Sequence, residues 1–255
     1  MRKGRTINQD NMKKGIYILP NLFTTASMFC GFYAVIASMN GDFAKAAVAI
    51  MIACVLDGLD GKIARFTNTT SKFGVEYDSL SDLISFGVAP AVFAYTWALS
   101  PYGRYGWLAA FLFVACGALR LARFNIQVDV ISSKVFNGLP IPAAAVVVAT
   151  SVLFYYRIGG EGHLYNPYLI ICMIVLALLM VSNFKYYSFK DLNFFARKPF
   201  MTFVLIVVFF VVIIIEPQIM LFTFAIGYSI SGPGWTLRRL VKKRADKREY
   251  KRNNV

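Results

Sequence analysis

Long apolar stretches alternate with short charged ones along this chain. Runs without a charged residue occupy 15–41, 46–56, 83–103, 105–119, 135–156, 164–184, 199–215 and 217–237. A helix needs about 20 residues to cross the hydrocarbon of a bilayer, within a range of roughly 17–25. Six of the runs reach that length unaided. The runs 46–56 and 105–119 fall short, and each becomes long enough only by taking in charged residues at its end. These are Asp57 and Asp60 in one case, Arg120 and Arg123 in the other. A charge facing lipid at mid-bilayer costs about 2.5–3.5 kcal/mol, so these four belong on last turns, near one membrane surface and facing a wet cavity. The pattern predicts an all-α polytopic integral membrane protein with eight transmembrane helices. Spans seven and eight, divided by little more than Glu216–Pro217, also fit a re-entrant pair. Gly138-Leu-Pro140-Ile-Pro142 reads as the start of the fifth span, with proline in the first turn. Pro20-Asn21 reads as a helix start with Asn21 as its cap, or as a polar group set aside for a ligand.

Composition agrees with the pattern. Of 255 residues, 58% are apolar and only 16% charged, against about 25% charged in a soluble domain; the mean hydropathy is +0.57. The net charge of +14 would suggest nucleic acid if it were spread over the chain. Instead, residues 1–15 hold five basic residues against Asp10. Residues 238–252 hold nine against Asp246 and Glu249, so the two ends carry +11 of the total. A basic flank beside an apolar span reads as a segment touching anionic lipid headgroups, not nucleic acid. Eight spans put both termini on one side. The loops on that side hold ten basic residues, from Lys62 to Lys198, and the opposite loops three, Lys45, Arg104 and Arg157. The basic side is therefore expected to be cytoplasmic, in a multi-pass protein of the cell membrane. The first apolar run lacks a small-x-small cleavage pattern and reads as a retained anchor. The chain divides into a basic segment 1–15, a transmembrane core 16–185, additional helices 186–237 and a basic tail 238–255.

Chemistry concentrates in one stretch. Cys30, Cys54, Cys116 and Cys172 lie in apolar runs without metal-ligand spacing, and His163 stands alone in an outer loop. By contrast, Asp57 and Asp60 are i,i+3 at the end of the second span, and Asp78 and Asp82 are i,i+4 at the start of the third. The connection 66–78 lets the two helix ends meet, bringing four carboxylates into a small volume. Such a cluster needs a counter-charge, and carboxylate oxygens suit Mg2+ or Mn2+. The absence of Cys and His from this stretch argues against zinc. Two such ions would clamp a phosphoryl transfer. An intramembrane ion pathway is the other use of such acids.

The spacing Asp57-x2-Asp60-Gly61-x2-Ala64-Arg65-x8-Gly74-x3-Asp78-x3-Asp82 fixes eight residues over 26 positions. In this it resembles the CDP-alcohol phosphotransferase family, whose members displace CMP from a CDP-activated donor by attack of an alcohol. The resemblance implies a six-helix core, here roughly 16–185, usually in a homodimer. It implies that Asp57, Asp60 and Asp78 bind two metal ions, with Asp82 as metal ligand and catalytic base. Gly61, Ala64, Arg65 and Gly74 would then lie against the CDP-lipid, with Asn21 a further candidate there. Three segments resemble the branch that uses serine: Asp78 to Ala91, Arg120-Leu-Ala-Arg123-Phe-Asn125, and Phe136 to Ala143. The implied substrates are CDP-diacylglycerol and L-serine, with glycerol phosphate, inositol phosphate or choline as alternative acceptors. Arg120 and Arg123, i,i+3 on the fourth span, are candidates for holding the serine carboxylate through a planar fork, or for pairing with the excess acids. Ser79, Ser81 and Ser85 are candidates for the same pocket or for helix packing.

Overall fold

The computed structural model describes residues 6–67, 71–127, 135–187, 200, 204, 207 and 215–253. Helix α1 spans Thr6–Met39 and α2 Phe43–Phe66. A third rod follows, α3 (Lys72–Asp82), a widened π turn (Leu83–Val88), α4 (Ala89–Ala94), a second π turn (Tyr95–Leu99) and a short 3-10 turn (Ser100–Tyr102). Helix α5 covers Arg104–Gln127, α6 Ile141–Arg157, α7 Tyr168–Val181 and α8 Pro217–Asn253. Strands β1 (Val135–Asn137) and β2 (Lys185–Tyr187) pair antiparallel, Phe136 opposite Tyr186.

The distribution of side-chain size shows what surrounds these helices. Along α1 the buried stripe is Thr24, Ser27, Gly31, Ala34 and Ser38, at alternating spacings of three and four. The opposite face carries Leu22, Phe29, Phe32 and Ile36, each at least 41% exposed. Small and hydroxylated residues inside with bulky apolar ones outside is the packing logic of helices in lipid. Three helical segments, Leu19–Met39, Lys72–Tyr102 and Arg104–Ile126, are long and apolar enough to cross a membrane, and α6 and α7 are shorter apolar helices. The chain is a helical membrane protein.

The hydroxyls stitch three helices together. Ser27 donates to the Ala53 carbonyl of α2, while Ser81 and Ser85 on the third rod donate to the carbonyls of Thr24 and Ser27. Ser81 and Ser85 thus serve helix packing. Gly31 makes room for this: a Cβ there would lie 2.6 Å from the Ser85 Cα. The π turn beside this contact precedes Pro90, which offers no N–H to the helix; the Ala89 N–H reaches back to Ile84.

Several boundaries differ from those expected from sequence. Helix α1 begins at Thr6 and runs through Pro20, so Asn21 is inside a helix and caps nothing. Helix α3 starts at Lys72, capped by Ser71 accepting from the Gly74 N–H at 3.0 Å, so only a short connection separates it from α2. Asp78 therefore lies inside α3, and Asp82 is its last residue, where the rod passes into the π turn. The run 135–156 opens with a strand; its helix starts at Ile141 with Pro142 in the first turn, as expected. Gly138 turns the chain between them with φ +83°, and a Cβ there would meet the Met180 carbonyl oxygen at 2.2 Å. The apolar end of the chain and its basic tail form one continuous helix, α8. Most of run 199–215 lies outside the described residues.

Candidate active site

The face of α2 that buries Ala46, Ile50 and Ala53 against its neighbours continues through Asp57 and Asp60. The helix therefore delivers two acids to the position where apolar packing stops. Helix α3 brings Asp78 from the other side. One carboxylate oxygen each from Asp57, Asp60 and Asp78 lie within 4.8 Å of one another. Asp82 completes the group by contacting the Asp57 carboxyl group directly. All four acids expected to converge do so. Like charges at this spacing require a proton or a cation among them.

The donor set fits a hard divalent cation. Its members are carboxylates, and the Asp78 Oδ1 atom is buried without a hydrogen-bond partner among the described residues. A buried, unpaired carboxylate oxygen is costly unless something positive meets it. Asp60 is fixed in place: only 4% exposed, it accepts at 2.7 Å from the Thr24 hydroxyl. Cys54, one turn before Asp57, lies near Asp57 and Asp82, so the cluster has a sulfur neighbour that the motif stretch alone did not reveal.

Beside the acids is a cavity of about 140 Å³. Its lining includes Asn21, Gly61, Ala64 and Gly74 together with Asp60 and Asp78. A Cβ on Gly61 would meet nothing within 4 Å, so this glycine leaves open space. A Cβ on Gly74 would approach Ser71 Oγ at 3.2 Å and Asn21 Oδ1 at 3.6 Å, which places Asn21 directly across from it. Arg65 is not part of this lining; its Nε donates to the Gly61 carbonyl at 2.8 Å.

The two arginines of α5 separate. The Arg120 Nε is buried without a hydrogen-bond partner among the described residues, and the guanidinium lies near Asp82 and near Tyr228 of α8. Arg123 instead donates to the Asn183 side chain at 2.6 Å and the Val181 carbonyl at 3.3 Å, closing the end of α7. Ser79 is tied to Asn125 of α5, which also reaches Glu76 at 3.4 Å.

Three contributors escaped the sequence reading. Thr24 belongs to a stripe of small residues whose period was legible but whose target was not. Asn125 stands in the quoted Arg120–Asn125 segment, without a role attached to it. Tyr228 is more than a hundred residues from Arg120, and no local pattern signals that they meet.

The chain matches the CDP-alcohol phosphatidyltransferase family over residues 17–181 and belongs to that family. It is 39% identical over 221 residues to a CDP-diacylglycerol–serine O-phosphatidyltransferase of Helicobacter pylori, covering 85% of this chain and 90% of that one. An archaetidylserine synthase of Methanothermobacter thermautotrophicus is 36% identical over 170 residues, 66% of this chain and 69% of the relative. A CDP-diacylglycerol–serine O-phosphatidyltransferase of Methanocaldococcus jannaschii is 42% identical over 144 residues, 56% and 63% of the two chains. The family segment ends at α7, so α8 lies beyond it.

Proposed function

We propose that this chain transfers a phosphatidyl group from CDP-diacylglycerol to the hydroxyl of L-serine, forming phosphatidylserine and releasing CMP. The observation that carries the reading is the carboxylate cluster with Arg120 beside Asp82, the Arg120 Nε being buried without a hydrogen-bond partner among the described residues. Serine appears in the names of relatives of both lipid kinds, phosphatidyl and archaetidyl. Asp82 accepts the proton of the serine hydroxyl. The freed oxygen forms a bond to the phosphorus bearing the diacylglycerol, and the bond from that phosphorus to the bridging oxygen of CMP breaks. Mg2+ or Mn2+, two ions held by Asp57, Asp60, Asp78 and Asp82, would neutralise the diphosphate and offset charge on the departing CMP. Gly61, Ala64, Gly74 and Asn21 seat the CDP moiety in the adjoining cavity, and Arg65 flanks it. Arg120 receives the serine carboxylate, for which a guanidinium fork is the fitting partner. Arg123 supports it from the same helix.

The whole chain fits eight spans in the cell membrane as a homodimer, with both termini and the acidic cluster on the cytoplasmic side. Core 16–185 would then be catalytic, with 186–237 as added helices between it and the basic tail. The test is acceptor choice. Purified protein with CDP-diacylglycerol and Mn2+ is expected to release CMP with L-serine, and far less with glycerol phosphate, inositol phosphate or choline. Greater release with another alcohol overturns the serine assignment. Metal flux into liposomes without CMP release overturns the transfer chemistry itself.

A further inference from the structure

A groove of about 840 Å³ runs along one face of α8, lined by residues that follow the family segment in sequence, Tyr228 near Arg120 among them. Its walls recur every three to four residues, including Phe224, Gly227, Ser231, Gly234 and Trp235 and ending at Arg238. From Thr223 to Arg238 the helix climbs roughly 22 Å at about 1.5 Å per residue, the reach of a lipid chain plus its glycerol. The floor is open: a Cβ on Gly227 or on Gly234 would meet nothing within 4 Å. Polarity changes along the length. The Phe224 end is apolar, whereas the other end gathers Trp235, Arg238 and, from β2, Lys185. Lys185 and Arg238 are both exposed, and neither side chain has an ion-pair or hydrogen-bond partner among the described residues. Tryptophan and basic side chains mark the headgroup level of a membrane.

The helix is held so that this face stays outward. Tyr186 of β2, fully buried, donates to the Ser229 carbonyl at 2.9 Å. Its ring fills the notch left by Gly232, where a Cβ would lie 2.4 Å from the ring. Lys185, the neighbour of Tyr186, is thereby brought to the mouth of the groove.

We propose that this groove is a binding site for one anionic glycerophospholipid, its acyl chain along the Gly227–Gly234 floor and its phosphate between Lys185 and Arg238. Charge selects this occupant over a second copy of the chain. A two-fold interface apposes the same patch from both subunits, which would bring the same uncompensated cations together. An anionic headgroup neutralises them. Two basic side chains at the membrane surface imply a preference over zwitterionic lipid on the order of 10–30-fold. The proposal goes beyond the transfer reaction and uses none of its steps, though Tyr228 joins the groove wall to the surroundings of Arg120.

Trp235 reports occupancy without any turnover. The full chain is placed in phosphatidylcholine nanodiscs doped with phosphatidylglycerol brominated on its acyl chains, or with brominated phosphatidylcholine at equal mole fraction. Quenching is expected to be stronger with the anionic lipid, and Trp235→Phe should remove the difference. Lys185→Gln with Arg238→Gln should abolish the preference. Gly227→Leu should lower quenching by filling the floor while leaving both cations in place. Equal quenching by the two lipids in the unaltered chain overturns the proposal. So does a Trp235 shielded from both lipids in a dimer, which would give the groove to a second copy. Failure of CMP release with serine would leave each of these readings unchanged.

Discussion

Arg120 and Arg123 sit three residues apart on α5 and end in different surroundings. Arg120 lies near Asp82 with its Nε unpartnered among the described residues, whereas Arg123 spends its hydrogen bonds on the end of α7. Arg120→Ala should lower kcat/KM for serine by about 10–100-fold, the loss expected for a bond between charged groups, with the CDP-diacylglycerol KM little changed. Arg123→Ala should instead lower thermal stability and shift both KM values only modestly. Steady-state kinetics with each substrate varied, beside a melting curve, separate the two; parallel changes in both variants would refute the division of labour. Asp82→Asn keeps the size of the side chain and removes its capacity to take a proton. It should cut kcat by about 10²–10⁴-fold and retain binding of CDP-diacylglycerol. Near-normal phosphatidylserine formation would remove Asp82 from the base role. The sequence displayed the four acids plainly because helical spacing places them. It could not distinguish the arginines, since that depends on whether Asn183 or Asp82 is in reach, a matter of helix rotation and tertiary neighbours.

Among the helices, two glycines make opposite demands. Gly31 is a contact glycine: its surface is filled by the backbone and side chain of Ser85. Gly31→Ala should destabilise the α1 interface with the third rod by about 1–3 kcal/mol, as overpacking does. Gly61 is a vacancy glycine, exposed to the cavity with nothing near its missing Cβ. Gly61→Ala should leave the melting temperature unchanged or slightly higher, since alanine favours a helix by up to about 1 kcal/mol. The same change should raise the KM for CDP-diacylglycerol. A stability loss at Gly61 with substrate affinity intact would reverse the assignment. The existence of α1, α5, α6 and α7 was readable from uncharged runs, because burial in lipid demands continuous apolarity. The β1–β2 ribbon was not, because Val135–Asn137 continues an apolar run and finds its partner fifty residues later. The start of α1 was missed for a related reason. Pro20 resembles a helix beginning, yet a helix packed on its neighbours tolerates an internal proline.

For the molecule as a whole, sequence revealed the class and the convergence of the acids but not how the last helix joins them. The family segment stops at α7, while α8 returns to place Tyr228 near Arg120 and is held by Tyr186. A tie at the far end of α8 complements this. Arg157 of α6 makes a two-pronged ion pair with Glu216, one contact being 2.8 Å, and holds that carboxyl below the usual carboxylate range. Neither tie follows from local pattern, since each joins residues over forty positions apart.

The order in which the acids occur along the chain has a consequence for biosynthesis. All four belong to the α2–α3 hairpin and lie on the side where its two helices are joined by a short connection. With the orientation proposed above, a nascent chain threads α2 inward and α3 outward while the bend stays beside the ribosome. No aspartate of the cluster is then dragged through hydrocarbon, and the four acids can come together before the second half of the protein has been translated.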